Sequence, residues 1–231
     1  MGRLRGKGRL LAYGARSRGR KFLGALVLSL IPLAAAAEPV VVAALGDSLT
    51  QGYGLPVEDG LVPQLQDWLA ENEVSAKVLN AGVSGDTTAG GLARIGWTLT
   101  SEVDALIVAL GGNDLLRGID PLASRANLEG ILSEARGRGL PVLMIGMEAP
   151  GNYGPGYKAA FDSMYPDLAM RYDALLVPDM LAPLKALQAK DPQAMARYMQ
   201  ADRLHPNAEG VRVIVETIGP EVARLVARAQ P

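Results

Sequence analysis

Apolar and polar positions alternate in blocks along most of the chain. Residues 40–45 are an unbroken apolar run ending at Gly46, the mark of a strand buried on both faces. Leu61, Leu65, Trp68 and Leu69 follow at helical spacing. Residues 76–79 predict a second, shorter strand, and residues 105–110 a third that ends at Gly111 and Gly112. Leu128, Ile131, Leu132 and Ala135 mark a helix that stops near Gly137 and Gly139. Residues 142–145 form a fourth strand, closed by Gly146. Phe161, Met164, Leu168 and Tyr172 predict a helix that Pro166 interrupts or delays, and residues 174–177 a fifth strand. Val211, Ile214, Val215, Ile218, Val222 and Val226 give a last helical stripe, kinked near Gly219 and Pro220.

Continuous apolar strands alternating with helices imply an α/β fold, a parallel sheet covered on both faces. Neither an internal repeat nor a linker divides residues 38–231, which therefore read as one domain. In such sheets ligands bind beyond the carboxyl ends of the strands. The loops opening at Gly46, Asn80, Gly111, Gly146 and near Pro178 are therefore where chemistry is expected.

Composition narrows that chemistry. At 49% apolar and 20% charged residues, a chain of 231 can bury a sizeable core. Cysteine is absent, which removes disulfides, thiolate metal sites and thiol nucleophiles. One histidine, His205, excludes His-rich zinc sites and the H-E-x-x-H motif. Residues 1–37 hold eight basic side chains and no acid, so residues 38–231 carry 15 basic against 24 acidic groups, a formal −9. An acidic body gives no footprint for nucleic acid. The basic head, the apolar run from Phe22 and the small residues Ala35, Ala36 and Ala37 together describe a secretory signal peptide. An uncleaved anchor is the other reading. With residues 1–37 removed no stable membrane span is expected, and the domain over 38–231 is expected to be exported, periplasmic or secreted.

Four of the loops share one kind of chemistry. Gly46, Asp47, Ser48 and Leu49 follow the first strand, where a serine either presents its hydroxyl above the sheet or only caps a helix. Asn80, Gly82, Ser84, Gly85, Asp86 and Thr87 form a glycine-bearing loop able to aim N–H groups at a ligand. Gly111, Gly112, Asn113 and Asp114 place an amide donor at the third opening. Asp202 lies three residues before His205 and Pro206, close enough to orient the imidazole. Each motif alone has an ordinary turn or cap as its competing reading. A nucleophile, donors for developing negative charge and an oriented base at successive strand ends are hard to obtain by chance.

In order, these four blocks resemble those of the SGNH (GDSL) hydrolases, over essentially all of residues 38–231. The stretch 110–118 and the residues Pro150, Gly151, Asn152, Tyr153 and Gly154 resemble the bacterial thioesterase I/protease I/lysophospholipase L1 and arylesterase branch. The resemblance implies a three-layer α/β/α sandwich with a flavodoxin-like five-stranded parallel sheet. It differs from the α/β-hydrolase fold, whose G-x-S-x-G elbow would need glycine where this chain has Thr50. By resemblance Ser48 is the nucleophile, His205 the general base and acid, and Asp202 its orienting partner. Ser48 N–H, Gly85 N–H and the Asn113 amide would form the oxyanion hole, with Asp47 and Asp86 structural. The loops 114–119 and 147–157 would line an acyl groove, with Asp114, Leu115, Ala149 and Pro150 as candidate substrate contacts. Relatives often carry leucine where this chain has Ala149, so a flexible groove for short-to-medium chains is expected. The implied activity is hydrolysis of small-molecule or lipid acyl esters or thioesters through an acyl-enzyme, with no metal or organic cofactor. A carbohydrate O-deacetylase of the same fold, and a non-catalytic binding module, are the alternatives.

Overall fold

The computed structural model describes residues 38–230; the expected leader over 1–37 lies outside the described residues. In chain order the strands are β1 (Val40–Gly46), β2 (Ala76–Gly82), β3 (Ala105–Ala109), β4 (Val142–Ile145) and β5 (Leu175–Val177). Between β1 and β2 lie α1 (Ser48–Gln51) and α2 (Leu61–Glu71), and α3 (Thr88–Thr98) joins β2 to β3. Next come α4 (Gly112–Leu116) and α5 (Pro121–Gly137), then α6 (Pro155–Tyr172) between β4 and β5. The chain ends with α7 (Ala182–Lys190), α8 (Ala194–Tyr198) and α9 (Ala208–Ala229).

Every strand pairing is parallel, in the order β2-β1-β3-β4-β5. The chain leaves β1 for one edge and returns past it to β3, so the strand order reverses between β1 and β3. A reversal of this kind opens a crevice at the carboxyl ends, because the flanking helices depart to opposite faces. The register puts three strand ends level there: Gly46 of β1 opposes Gly82 of β2 on one side and Ala109 of β3 on the other.

Period-two alternation within each strand sorts the core into two layers. Val40, Val42, Ala44, Ala105, Ile107, Leu143 and Ile145 face α2 and α9, where Leu65, Leu69, Val215, Ile218 and Val222 complete that side. Ala43, Leu45, Leu106, Val108, Val142 and Met144 face α3, α5 and α6, meeting Ile95, Leu128, Ile131, Phe161 and Leu168. This is the three-layer sandwich the sequence pattern predicts.

One proline expectation, the interruption at Pro166, needs correction. Helix α6 runs unbroken from Pro155 through Pro166 to Tyr172, and α9 runs unbroken through Pro220. Both prolines lie on exposed positions, flanked by buried residues such as Tyr165 and Leu168 or Gly219 and Val222. Each ring therefore costs one helical hydrogen bond on the side where water can take the freed carbonyl. Beside Pro220, Gly219 leaves room for the Trp68 indole, whose ring atoms would lie 2.5 Å from an added Cβ. Strand β2 also extends to Gly82, three residues past the predicted end at Leu79. No described helix is long and apolar enough to cross a membrane.

Candidate active site

Ser48 is the first residue of α1, immediately after β1. Asp47 caps that turn: its Oδ1 accepts the Leu49 N–H at 3.0 Å. The cap lifts the chain off the sheet end and turns Ser48 into the crevice, where it is 9% exposed. Burial pushes the Asp47 carboxyl above its ordinary value, opposed by the Leu49 N–H, the nearby His205 and the Asn113 amide.

His205 reaches Ser48 from 157 residues away, with Nε2 at 2.8 Å from the serine Oγ. Its other ring nitrogen, Nδ1, lies 2.7 Å from Asp202 Oδ2. Asp202 Oδ1 accepts the backbone N–H groups of Leu204 at 2.9 Å and His205 at 3.0 Å. The hydrogen bond with the His205 ring, and then these two backbone donors, hold the Asp202 carboxyl down to about 2. An ionised carboxylate only accepts, so Nδ1 must carry the ring proton when His205 is neutral. The Nε2 lone pair is then left facing the Ser48 hydroxyl, as a general base requires.

The loop that carries this pair is braced on both sides. Arg203 takes a left-handed φ of 56°, unusual for a side chain other than glycine, inside the turn that Asp202 closes. Gln200 N–H donates to His205 O, and its amide donates to Tyr53 O at 2.9 Å and Pro206 O at 3.0 Å. The Tyr53 ring packs against the imidazole with centroids 4.8 Å apart. Asn207 caps α9 by accepting the Gly210 N–H at 3.0 Å.

Gly85 and Asn113 border the same crevice as Ser48. Gly85 sits in a turn at φ 80°, a backbone conformation that a Cβ would strain. Asn113 Nδ2 approaches Asp47 Oδ2 at 3.4 Å, which fixes the amide rotamer; one of its N–H bonds can still face the cleft. A bound carbonyl oxygen between Ser48 N–H, Gly85 N–H and this amide would meet donors of one sign.

Two networks behind these donors, one half-buried and one buried, were not anticipated from the sequence. The Arg94 guanidinium on α3 donates to Gly46 O at 2.9 Å, to Ala81 O at 2.8 Å and to Asp86 Oδ2 at 2.7 Å. It therefore ties the end of β1 to the end of β2 and to the Gly85 loop. An arginine on a glycine-rich segment without apolar periodicity gave no sign of this. Asp114, a candidate substrate contact, is instead fully buried and turned away from the cleft. It accepts the Thr88 N–H at 2.8 Å, the Thr88 hydroxyl at 2.5 Å and the Ser124 hydroxyl at 2.8 Å. Three donors from α3 and α5 meet one carboxylate, which leaves it nothing to offer a ligand.

The crevice has a volume of about 690 Å³. Leu115, Ala149 and Pro150 line it, as expected, together with Leu116, Met147 and Leu181. Glu148, Lys158, Asp179 and Lys185 also border it. The two lysines beside Glu148 hold its carboxyl below the ordinary value. Neither Trp68 nor Trp97 reaches the cleft, so it offers no indole platform for a sugar ring. Among the described residues no group of three or more His, Cys, Asp or Glu side chains could hold a metal ion.

Comparison with known proteins points to a hydrolase family. The family model described as the GDSL-like Lipase/Acylhydrolase family matches residues 44–213. The protein named Esterase TesA from Pseudomonas aeruginosa is 38% identical over 88% of this chain and 96% of its own length. Thioesterase 1/protease 1/lysophospholipase L1 of Escherichia coli K12 is 32% identical over 84% of this chain and 87% of its own. The crystal structure of AlinE4, an SGNH-hydrolase family esterase, superposes with a TM-score of 0.65 at 42% identity, covering 85% of this chain and 100% of that one.

Proposed function

The chain belongs to the GDSL-like lipase/acylhydrolase family; it is a serine esterase, and from that premise we propose that Ser48, His205 and Asp202 are its catalytic triad. The observation that carries the assignment is the continuous chain from Asp202 Oδ2 through both imidazole nitrogens to Ser48 Oγ, with spacings of 2.7 and 2.8 Å. As Ser48 Oγ attacks an acyl carbonyl, His205 Nε2 takes its proton. The tetrahedral oxyanion is held by Ser48 N–H, Gly85 N–H and the Asn113 amide. His205 then protonates the leaving alcohol or thiol. Water enters by the same route, giving up its proton to His205, and releases the acid from Ser48. These steps use only the side chains and backbone donors named.

The acyl chain is accommodated along Leu115, Leu116, Met147 and Ala149, whose small side chain offers little grip on a long chain. Short-to-medium acyl esters are the expected substrates, with thioesters open to the same chemistry. Residues 38–231 act as the working domain, and residues 1–37 direct export. Esters met outside the cytoplasm, from lipids or from exogenous sources, suit such a location.

The test is hydrolysis of p-nitrophenyl esters by residues 38–231, with Ser48→Ala in parallel. Turnover by the wild type and loss of at least a thousandfold in the variant, with loss of fluorophosphonate labelling, is the expected result. Equal activity in both proteins would remove Ser48 from the mechanism.

A further inference from the structure

The wall of the cleft is not apolar throughout. Glu148, just past β4, sits between two lysines. Its Oε1 accepts from Lys158 Nζ at 2.8 Å, and its Oε2 from Lys185 Nζ at 3.3 Å. Lys158, on α6, also pairs with Asp162 at 2.8 Å and donates to Ala149 O at 2.8 Å. Lys185, on α7, also pairs with Asp179 at 2.7 Å. Two ammonium groups thus meet three carboxylates, and Glu148 is the link in this chain between the α6 side and the α7 side.

Position in the sheet says which end of the cleft this is. Ser48 follows β1, whereas Glu148 and Asp179 follow β4 and β5, two and three strands away in the order of the sheet. At about 4.8 Å per strand that is on the order of 10–14 Å. Leu115, Leu116, Met147 and Ala149 line the cleft as well, Met147 and Ala149 directly flanking Glu148. An acyl chain leaving Ser48 would run first along apolar surface and then meet paired charges.

Resting on the esterase reading, we propose that the Lys158–Glu148–Lys185–Asp179 belt sets the upper limit of acyl length. Along the apolar stretch each added methylene is worth up to about fourfold in kcat/KM, the equivalent of burying one CH₂. A methylene that reaches the belt must instead strip water from charges that are still partly hydrated, with Glu148 52% and Lys158 36% exposed. The gain therefore stops there. Counting Asp162, which pairs with Lys158, the cluster holds one carboxylate in excess, so it is a poor seat for an anionic head group and acts as a boundary and not as a subsite. Glu148 can be neutralised without orphaning a charge, because Lys158 keeps Asp162 and Lys185 keeps Asp179.

The experiment measures kcat/KM for p-nitrophenyl acetate, butyrate, hexanoate, octanoate and decanoate with wild type, Glu148→Leu and Glu148→Gln. Arg125→Gln is the control, since it breaks an exposed ion pair with Asp167 that does not border the cleft. Wild type should rise to an optimum and then fall. Glu148→Leu should move the optimum by at least two carbons and raise the decanoate-to-butyrate ratio about tenfold or more. Glu148→Gln, neutral but still polar, should move it less. A ratio in Glu148→Leu within twofold of wild type, an equal shift in Arg125→Gln, or a wild-type optimum at decanoate would overturn the inference while leaving the esterase reading intact. Absence of wild-type turnover on every ester would overturn both.

Discussion

Asp202 uses both of its oxygens. One closes the turn by taking two backbone N–H groups, and the other orients the imidazole. Its carboxyl is held at about 2, below the unfolded carboxylate value near 3.9, so its stabilising contribution is present above that value and is lost only as pH falls through about 2. Between pH 7 and pH 4 the carboxylate therefore stays ionised. Loss of activity across that interval is therefore not protonation of Asp202. Its own protonation should add a further fall in log kcat/KM only below pH 4; a break above pH 4 that Asp202→Asn abolishes would overturn this. The oxyanion donors make a separate prediction. Asn113 makes no hydrogen bond with Ser48 or His205, and its amide donates to Asp47. Asn113→Ala should lower kcat by about a hundredfold or more with little change in KM, while Ser48 is still labelled by a fluorophosphonate. A change confined to KM would give the amide a binding role instead.

At the scale of elements, the donors depend on how α3, α4 and α5 are held together. Asp114 on α4 takes the first N–H of α3 and a hydroxyl from each of α3 and α5, all out of water. It follows Asn113 directly, and Thr88 lies three residues after Gly85, so one buried carboxylate sets the spacing of two donors. Asp114→Asn keeps the shape but replaces one acceptor by an N–H group that faces other donors. The cost should be about 1–3 kcal/mol, read as a fall in Tm of roughly 3–10 °C, with a parallel loss in kcat. An unchanged Tm would show that the three donors find other partners.

Residues of this kind were the ones the sequence did not expose. Strands β1, β3 and β4 were legible because they are buried on both faces, and α2, α5 and α9 because an apolar stripe repeats along them. Helix α3 contains Gly90, Gly91 and Gly96 and buries only Thr88, Gly91 and Ile95, so no apolar period announces it. Gly91 is there because Leu110 crosses α3 so closely that an added Cβ would meet its Cδ1 at 2.2 Å. Helix α7 buries only Leu184, too little for a pattern. Ser48, Asn113, Asp202 and His205 stood out as candidates because chemistry-bearing residues fell in a recognisable order, and Gly85 only through the family resemblance, while Asp202 and His205 follow α8 and not a strand. Arg94, Tyr53 and the Glu148 belt act through contacts between distant segments, and a linear pattern carries no trace of those.

For the molecule as a whole, the two parts of the chain differ in charge. All of the described sheet, helices and cleft lie in residues 38–230, and residues 37–231 form a compact unit by their own contacts. Residues 1–37 supply eight basic groups and an apolar run, the features by which an export apparatus reads a leader, and a domain of formal charge −9 remains when they are gone. On the export reading, removal of residues 1–37 should leave folding and catalysis untouched. Expressed as the full chain in a bacterium, the protein should collect outside the cytoplasm with a mass that begins at or near Glu38. Its Tm and its kcat/KM on a butyrate ester should equal those of residues 38–231 made directly. An exported protein that keeps its full mass and stays with the membrane fraction would make the segment an anchor. A cytoplasmic protein of full mass would remove the export reading and return intracellular thioesters to the list of natural substrates.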